Sequence, residues 1–245
     1  LLAECEAGGV TRWQPCRLEG LRYLSSHPHG QSAGSYEIDS NRGTIHCASV
    51  VVATGGLSIP KIGSTDLGYR IAQQFDLPVI PTRPALVPLT FNESQWQAFS
   101  LLSGLSLAAT IETGAKKDKV AFHEDLLFTH RGLSGPGILQ ISSYWQMQEY
   151  RQGKKHAVEI DLLPGLDAGA WLEEHRQGRV HLPNLLAERL PRRFAHEWCA
   201  LQGGEKLVTR PISELSRRDL EMIAGRLNAW PLMPAGTLGF AKAEV

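Results

Sequence analysis

The sequence lacks the features that mark several large classes of protein. None of its apolar runs approaches the length of a membrane span, and no stretch has the pattern of a signal peptide. Its 25 basic and 25 acidic residues balance, so no overall charge favours nucleic acid or a membrane surface as partner. The four cysteines have no CxxC or comparable spacing, which argues against a metal site and a disulfide framework. These absences predict a cytoplasmic protein with reduced, mostly buried thiols and no metal.

Several catalytic signatures are also missing. The chain has no GxGxxG fingerprint, P-loop, HExxH or EF-hand pattern. The stretch "GLSGP" comes one position short of the GxSxG nucleophile elbow, because Pro136 stands where the second glycine should be. The elbow needs a small residue there for the helix to pack behind the serine. A serine hydrolase is therefore not favoured.

The composition is that of a globular protein. With 245 residues, 42% of them hydrophobic, the chain can form one large core or two modest ones. "LLAECEAGG" at the start has the pattern of the last turns of an amphipathic helix, and "GFAKAEV" at the end suits the beginning of a strand. We therefore favour an interior piece of a longer protein over a processed mature chain.

The first third predicts an α/β arrangement. Strands are expected at 10–13 and 17–24, followed by a hairpin, "SYEID" and "TIHCA", whose turn is 40–43. The apolar run "VVVA" at 50–53 is typical of a central strand covered on both faces. Helical spacing of apolar residues over 67–75 predicts a helix.

Three prolines in "PTRPALVPLTF" indicate a crossing into another domain. The segment 87–164 predicts short strands and one helix, "GILQISSYWQMQEY", as in a small barrel or sandwich. The last third is predicted to be helical. Its signals are a capping box at Ser216 and Asp219 and apolar residues on helix faces, namely Phe194, Trp198, Leu201, Leu220, Ile223, Leu227 and Trp230. We expect these aromatic side chains in the core.

Two stretches are candidates for chemistry. The run 50–53 ends in Thr54-Gly55-Gly56, which is either a plain strand exit or a cofactor-binding edge of an α/β sheet. "LLFTHRGLSGP" is either a tight turn, with Ser134 capping a helix and Pro136 at its first position, or a loop aimed at a ligand. In the second case His130 would move a proton near neutral pH. Both interpretations stay open on the residues alone.

Together these motifs resemble one bacterial family. "VVVATGGLSIPKIGSTDLGYRIAQQF", "PTRPALVPLTF", "LLFTHRGLSGPGILQISSYW", "IDLLP" and "GTLGFAKAEV" occur in the order found in the YhiN-type, or BaiN-like, NAD(P)/FAD-dependent flavoproteins. The resemblance implies α/β architecture plus inserted β-rich and helical parts. The FAD-binding domain would be of the glutathione-reductase type, and the insertion a small β-barrel or sandwich with a helical segment.

The resemblance also implies a division of the chain. Residues 1–86 would form part of the FAD-binding domain, and 87–240 an inserted substrate domain, β-rich over 87–165 and helical over 166–235. Residues 241–245 would be a strand returning to the FAD-binding domain. The family's GxGxxG unit and its closing FAD segment are both missing here. We therefore expect this piece alone to be inactive and not to retain FAD.

The implied site residues form two groups. FAD would contact the strand end, the loop that follows it and two glycines of the later motif: Ala53, Thr54, Gly55, Gly56, Ser58, Pro60, Gly63, Ser64, Gly132 and Gly135. Thr129, His130 and Ser134 would face the reactive ring from the inserted domain and act in catalysis. NAD(P)H is the implied electron donor.

The resemblance implies a flavin-dependent oxidoreductase. Its FAD would exchange a hydride with an organic substrate, either reducing an activated C=C bond or oxidising an amine. The substrate is either a small molecule or an RNA uridine. The alternative is a non-catalytic module that binds RNA or protein through the inserted part. Five arginines of the helical part are either a local basic patch or a solvated face: Arg192, Arg193, Arg210, Arg217 and Arg218.

Overall fold

The computed structural model describes residues 1–25 and 34–244. The chain divides into two compact units. The first contains residues 1–56 and 65–80, and the second contains 57–64 and the chain from 81 onward. No helix among the described residues is long and apolar enough to cross a membrane.

The first unit consists of two helices and a three-stranded antiparallel sheet. Its elements in chain order are α1 (Leu2–Ala7), β1 (Leu18–Leu24), β2 (Ser35–Ser40), β3 (Gly43–Cys47) and α2 (Leu67–Gln74). The predicted hairpin is confirmed, since Ser40 pairs with Gly43 at its turn. The predicted first helix and the helix after the glycine loop are also confirmed.

Two predicted strands of this unit are absent. Residues 10–13 and 50–53 belong to no strand. Val51 is 88% exposed and Val52 is 44% exposed, so the run is not covered on both faces. Apolar β-branched residues favour an extended backbone, but a strand also needs a neighbour to complete its hydrogen bonds. None of the described strands pairs with this run.

A seven-stranded antiparallel sheet organises the second unit. Its strands are β4 (Leu89–Thr90), β5 (Ser106–Thr113), β6 (Val120–Thr129), β7 (Gly132–Ser134), β8 (Val158–Asp161), β9 (Trp230–Leu232) and β10 (Gly236–Thr237). Their order across the sheet is β10-β4-β7-β6-β5-β8-β9. The strand-rich segment is thus confirmed, but the last third is not wholly helical, because both outermost strands come from it.

Helices follow the sheet strands and cover the core. They are α3 (Glu93–Trp96), α4 (Pro136–Gln152), α5 (Ala168–Glu174), α6 (Leu182–Leu186), α7 (Arg192–Gly203), α8 (Glu205–Thr209) and α9 (Arg217–Asn228). Short 3-10 helices lie at Pro60–Ile62, Phe99–Leu102, Lys116–Asp118, Ile212–Glu214 and Gly239–Lys242. The predicted return strand at 241–245 is therefore not a strand over 241–244, and Val245 lies outside the described residues.

The core of the second unit is rich in aromatic rings. Phe194 and Trp198 of α7 are fully buried and contact Trp230, with ring centroids 6.4 Å apart in each case. The expected core role of these rings is confirmed. Leu201 is the exception, with 38% of its surface exposed near the end of α7. The thiols also differ from the prediction, since Cys199 alone among the four is buried.

The helix α9 begins with the predicted capping box. The Ser216 hydroxyl accepts a hydrogen bond from the Asp219 backbone N–H at 3.2 Å, and the Asp219 carboxylate accepts one from the Ser216 backbone N–H at 3.1 Å. Hydrogen bonds from Lys206 and Ser216 lower the pKa of Asp219 to about 2. The negative form of this side chain is thus the one that stabilises the start of the helix.

We expect Asp219→Asn to lower the free energy of unfolding at pH 7 by about 0.5–1 kcal/mol, because asparagine lacks the negative charge that Lys206 and the helix N-terminus stabilise. Because the folded pKa lies below its ordinary value of 3.8, the carboxylate stabilises the fold above pH 4 and loses this effect as the pH falls towards 2. Urea unfolding at several pH values measures the difference. Glu221→Gln, which removes an exposed pair with Arg217, is the control and should change little. A difference that does not shrink below pH 4 would contradict the assignment.

Candidate functional site

The β6–β7 hairpin carries the best-defined candidate residues. Thr129 pairs with Gly132 in the ladder, which leaves His130 and Arg131 as a two-residue tip. The Thr129 hydroxyl donates a hydrogen bond to the Gly132 carbonyl at 2.9 Å and accepts one from the Arg131 N–H at 3.4 Å. Thr129 therefore fixes the tip, on which both His130 and Arg131 are exposed.

The two glycines of this motif permit close contact between strands. A Cβ at Gly132, where φ is 156°, would lie 2.0 Å from the Leu89 carbonyl oxygen of β4. A Cβ at Gly135, where φ is 90°, would lie 2.9 Å from the Asp125 carbonyl oxygen of β6. The backbone itself thus accounts for both glycines, without a ligand.

The start of α4 shows that one prediction for this turn, that Ser134 caps the helix, is wrong. Ser134 is the last residue of β7, and the residue that caps α4 is Gly135, with no side-chain cap. Pro136 lies in the first turn of the helix, as predicted. The Ser134 hydroxyl has no hydrogen bond to any residue in the described part of the chain, so it is available to a ligand.

Thr129, His130 and Ser134 line one cleft of about 380 Å³, which we call the hairpin cleft. The remaining wall consists of Pro88, Arg131, Leu139, Leu238, Lys242 and Glu244. Sequence reasoning assigned no site role to Lys242 or Leu238. A signal was present, because both lie in the "GTLGFAKAEV" motif that contributes to the family resemblance. The cleft combines apolar walls with an imidazole, two hydroxyls, two basic groups and the carboxylate of Glu244.

A second cleft, of about 450 Å³, also borders the hairpin tip, and we call it the aromatic cleft. His130 and Arg131 line both clefts. Phe91 and Trp96 also line the aromatic cleft and stack with ring centroids 4.5 Å apart and planes at 12°. The Trp96 indole donates a hydrogen bond to the Thr129 carbonyl at 2.9 Å, so the ring pair is attached to the hairpin.

The predicted flavin-binding strand end lies in the first unit. Ala53, Thr54 and Gly55 are exposed, and Gly55 has a φ of 71° with nothing within 4 Å of the point that a Cβ would occupy. A Cβ at Gly56 would lie 3.2 Å from the Tyr69 hydroxyl of α2, so neighbouring atoms already restrict that position. Open space therefore lies beside Gly55 but not beside Gly56.

The loop that follows belongs to the second unit. Its Ile59 N–H donates a hydrogen bond to the Phe240 carbonyl at 2.9 Å, and the Ser64 hydroxyl donates one to the Ser58 carbonyl. Pro60 opens the 3-10 helix, which ends at Gly63 with a φ of 103°. Ser58, Pro60, Gly63 and Ser64 thus share a unit with the hairpin, whereas residues 53–56 belong to the other unit.

Side chains that could bind a metal ion do not cluster within the part of the chain that the structure describes. No group of three histidine, cysteine or acidic residues in the ranges 1–25 and 34–244 could hold a metal ion. Cys199 is the buried thiol, and burial raises its pKa to about 12, so it stays protonated and unreactive.

Comparison with known proteins identifies the family. The family model of the HI0933-like protein barrel and H2TH domain matches residues 83–245. The chain is 38% identical over 247 aligned positions to the ribosomal RNA dihydrouridine synthase of Escherichia coli (strain K12), covering 100% of this chain and 56% of that protein. It is 39% identical over 201 positions to the synthase of the same name from Haemophilus influenzae (strain ATCC 51907 / DSM 11121 / KW20 / Rd), covering 81% of this chain and 47% of that protein.

The chain thus spans about half the length of the curated relatives it matches. The barrel in the family description agrees with the predicted β-rich insertion, and the H2TH domain agrees with the helices that follow it. The resemblance found in the sequence is confirmed at this level. The chain belongs to the HI0933-like family.

Proposed function

We propose that this chain is part of a flavin-dependent oxidoreductase that reduces a uridine of ribosomal RNA, with NAD(P)H as electron donor. The observation that carries the proposal is the hairpin cleft, which gathers an imidazole, two hydroxyls, two basic side chains and one carboxylate around apolar walls. Relatives named ribosomal RNA dihydrouridine synthases support uridine as the substrate. Their name describes reduction of a C=C bond, so amine oxidation is the less favoured reaction.

The proposal includes FAD as the hydride carrier. The open space beside Gly55, in an exposed segment, fits the close approach of a flat ring to the backbone. Ala53, Thr54 and Gly55 would hold this ring, and when bound it would supply the hydride. The sequence has no glycine-rich phosphate turn of the GxGxxG type. We therefore assign pyrophosphate binding to a part of the longer relatives that this chain does not span.

The domain division expected from the sequence belongs to the same proposal. Residues 1–86 would contribute to an FAD-binding domain of the glutathione-reductase type, and 87–240 would form the inserted substrate domain. Ser58, Pro60, Gly63 and Ser64 would supply a further wall for the flavin. Gly132 and Gly135 would serve the flavin indirectly, because the close strand contacts they allow set the position of the hairpin.

Reduction of a C=C bond needs a proton at one carbon and a hydride at the other. His130 is the residue we assign to the proton, since its imidazole is exposed on the hairpin tip and lines the hairpin cleft. Ser134 would orient the uracil through its free hydroxyl. Thr129 would act as a positioning residue, because its hydroxyl already serves the tip. Lys242, which lines the hairpin cleft, would hold an RNA phosphate there.

Spectra of the complete gene product test this function. We expect a yellow protein with one flavin per chain that converts uridine of ribosomal RNA to dihydrouridine when NAD(P)H is present. Mass spectrometry of nuclease-digested RNA measures the product. A colourless protein that releases no flavin on denaturation and forms no dihydrouridine would contradict the proposal, and an RNA- or protein-binding module would then remain.

A further inference from the structure

The aromatic cleft shares His130 and Arg131 with the hairpin cleft, but its other wall residues have no role in the proposed reaction. Its wall includes the stacked pair of Phe91 and Trp96, of which Trp96 is buried and Phe91 is partly exposed. Trp96 is fixed by its hydrogen bond to the Thr129 carbonyl. The cleft therefore presents a partly exposed ring on a rigid support, next to the hairpin tip.

Three polar side chains that line the aromatic cleft are unpaired within the described residues. The Arg131 guanidinium is exposed and forms no ion pair or hydrogen bond with the residues that the structure describes. The side chains of Glu93 and Gln97 line the same cleft and are also unpaired within those residues. The cleft thus combines an aromatic surface, a cation on the side of the tip, and a carboxylate with an amide elsewhere in its wall.

Resting on the proposed function, we infer that the aromatic cleft binds a nucleotide of single-stranded RNA next to the uridine in the hairpin cleft. Proteins bind single strands by stacking bases on aromatic side chains and by pairing phosphates with cations. Phe91 would stack on the base, and Arg131 would pair with the phosphate. Because Glu93 repels a phosphate, the backbone of the RNA would lie on the side of Arg131.

The shared hairpin tip explains why the two nucleotides would be neighbours. His130 and Arg131 line both clefts, so a strand that passes the tip can place one base in each cleft. Unstacked bases are available in single-stranded loops and not in an RNA duplex. The substrate class is therefore a single-stranded segment with an accessible uridine.

Binding of a labelled single-stranded oligouridine to the 245-residue chain tests this inference, because stacking and phosphate contacts need no flavin. Fluorescence anisotropy gives the dissociation constant at several salt concentrations. We expect Phe91→Leu to weaken binding about tenfold, as for other lost base stacks. Arg131→Gln should weaken binding and reduce the slope of log K against log salt by about 0.7, the value for one phosphate contact on a single strand.

Two matched variants control for general effects. Phe122→Leu removes another partly buried ring, which packs on Tyr144 outside the cleft. Arg179→Gln removes another exposed arginine that is unpaired in the described part of the chain and lies outside both clefts. Both should bind RNA as the unaltered chain does. If Phe91→Leu lowers the melting temperature, Arg131→Gln alone decides, since no described contact depends on its side chain.

Each outcome has one meaning. Equal affinities for the Arg131 variant and its Arg179 control, or no measurable binding by the unaltered chain, would overturn the subsite. Binding of a protein and not of RNA would do the same. A complete gene product without flavin, together with weakened binding of both cleft variants, would end the proposed reaction but leave the RNA subsite intact. An active flavoprotein whose cleft variants bind RNA normally would overturn the subsite but leave the proposed reaction intact.

Discussion

Gly132→Ala is expected to unfold the second unit or to lower its melting temperature by about 10 °C. A Cβ at this position would lie 2.0 Å from the Leu89 carbonyl oxygen and 3.0 Å from the Thr90 Cα. Both atoms belong to the backbone of β4, so no side chain can turn away to make room. Separating β4 from β7 would break the pairs of Leu89 with Leu133 and of Thr90 with Gly132. We estimate a loss of about 3–5 kcal/mol, in the range of severe steric substitutions.

Gly225→Ala is the control for this experiment. Gly225 lies within α9, and a Cβ there would meet nothing within 4 Å. Alanine should stabilise that helix by about 0.5–1 kcal/mol, because glycine loses more conformational freedom on folding. Differential scanning calorimetry of both variants measures the contrast. If Gly132→Ala melted like the unaltered chain, the close approach of β7 to β4 would be wrong.

His130→Gln is expected to slow reduction of uridine by about 10²–10⁴-fold in the complete gene product, the usual range for a lost general acid. Glutamine keeps the polarity and approximate size of the side chain but cannot deliver a proton. Reduction of the flavin by NAD(P)H needs no proton from the hairpin tip, so its rate should not change. Stopped-flow absorbance of the flavin separates the two half-reactions.

The matched control is His196→Gln, which alters an exposed histidine on α7 beside Glu197. It lies outside both clefts and should leave both half-reactions unchanged. Equal losses in the two half-reactions of His130→Gln would show that His130 supports the cofactor site and not proton transfer. A full rate of uridine reduction in this variant would remove His130 from the mechanism.

Local signals in the sequence were enough to predict many elements of both units. The turn at 40–43, the capping box of Ser216 and the helical spacing over 67–75 each depend on residues close together in the chain, and each is confirmed. The prediction of a strand at 50–53 was wrong, because apolar residues indicate an extended backbone but do not identify a pairing partner. The strands β9 and β10 were not predicted, for a different reason. Strands of two or three residues carry too little periodicity to be recognised in a sequence.

The same contrast between local signals and long-range contacts holds for the candidate site. The hairpin residues were singled out because a hydroxyl, an imidazole and glycines lie within one short motif. Lys242 and Leu238 could not be placed beside them from spacing alone, since more than a hundred residues intervene. Long-range hydrogen bonds bring them there, including the Leu238 N–H to the Pro88 carbonyl at 3.1 Å. The close contact between Gly132 and Leu89 could not be predicted either, because the two residues are distant in the chain.

The pairing of β4 with β10 has a consequence for synthesis on the ribosome. Thr90 pairs with Gly236, and the Ala235 N–H donates a hydrogen bond to the Thr90 carbonyl at 2.8 Å. The strand β4 is synthesised early, and it cannot form these contacts until β10, one of the last elements, has been synthesised. Contacts between residues so far apart form slowly, because a long loop must close first. The nascent chain therefore exposes the unpaired edge of β4 until residue 237 has left the exit tunnel. During that interval this edge is open to wrong pairing, which is the risk that chaperones limit.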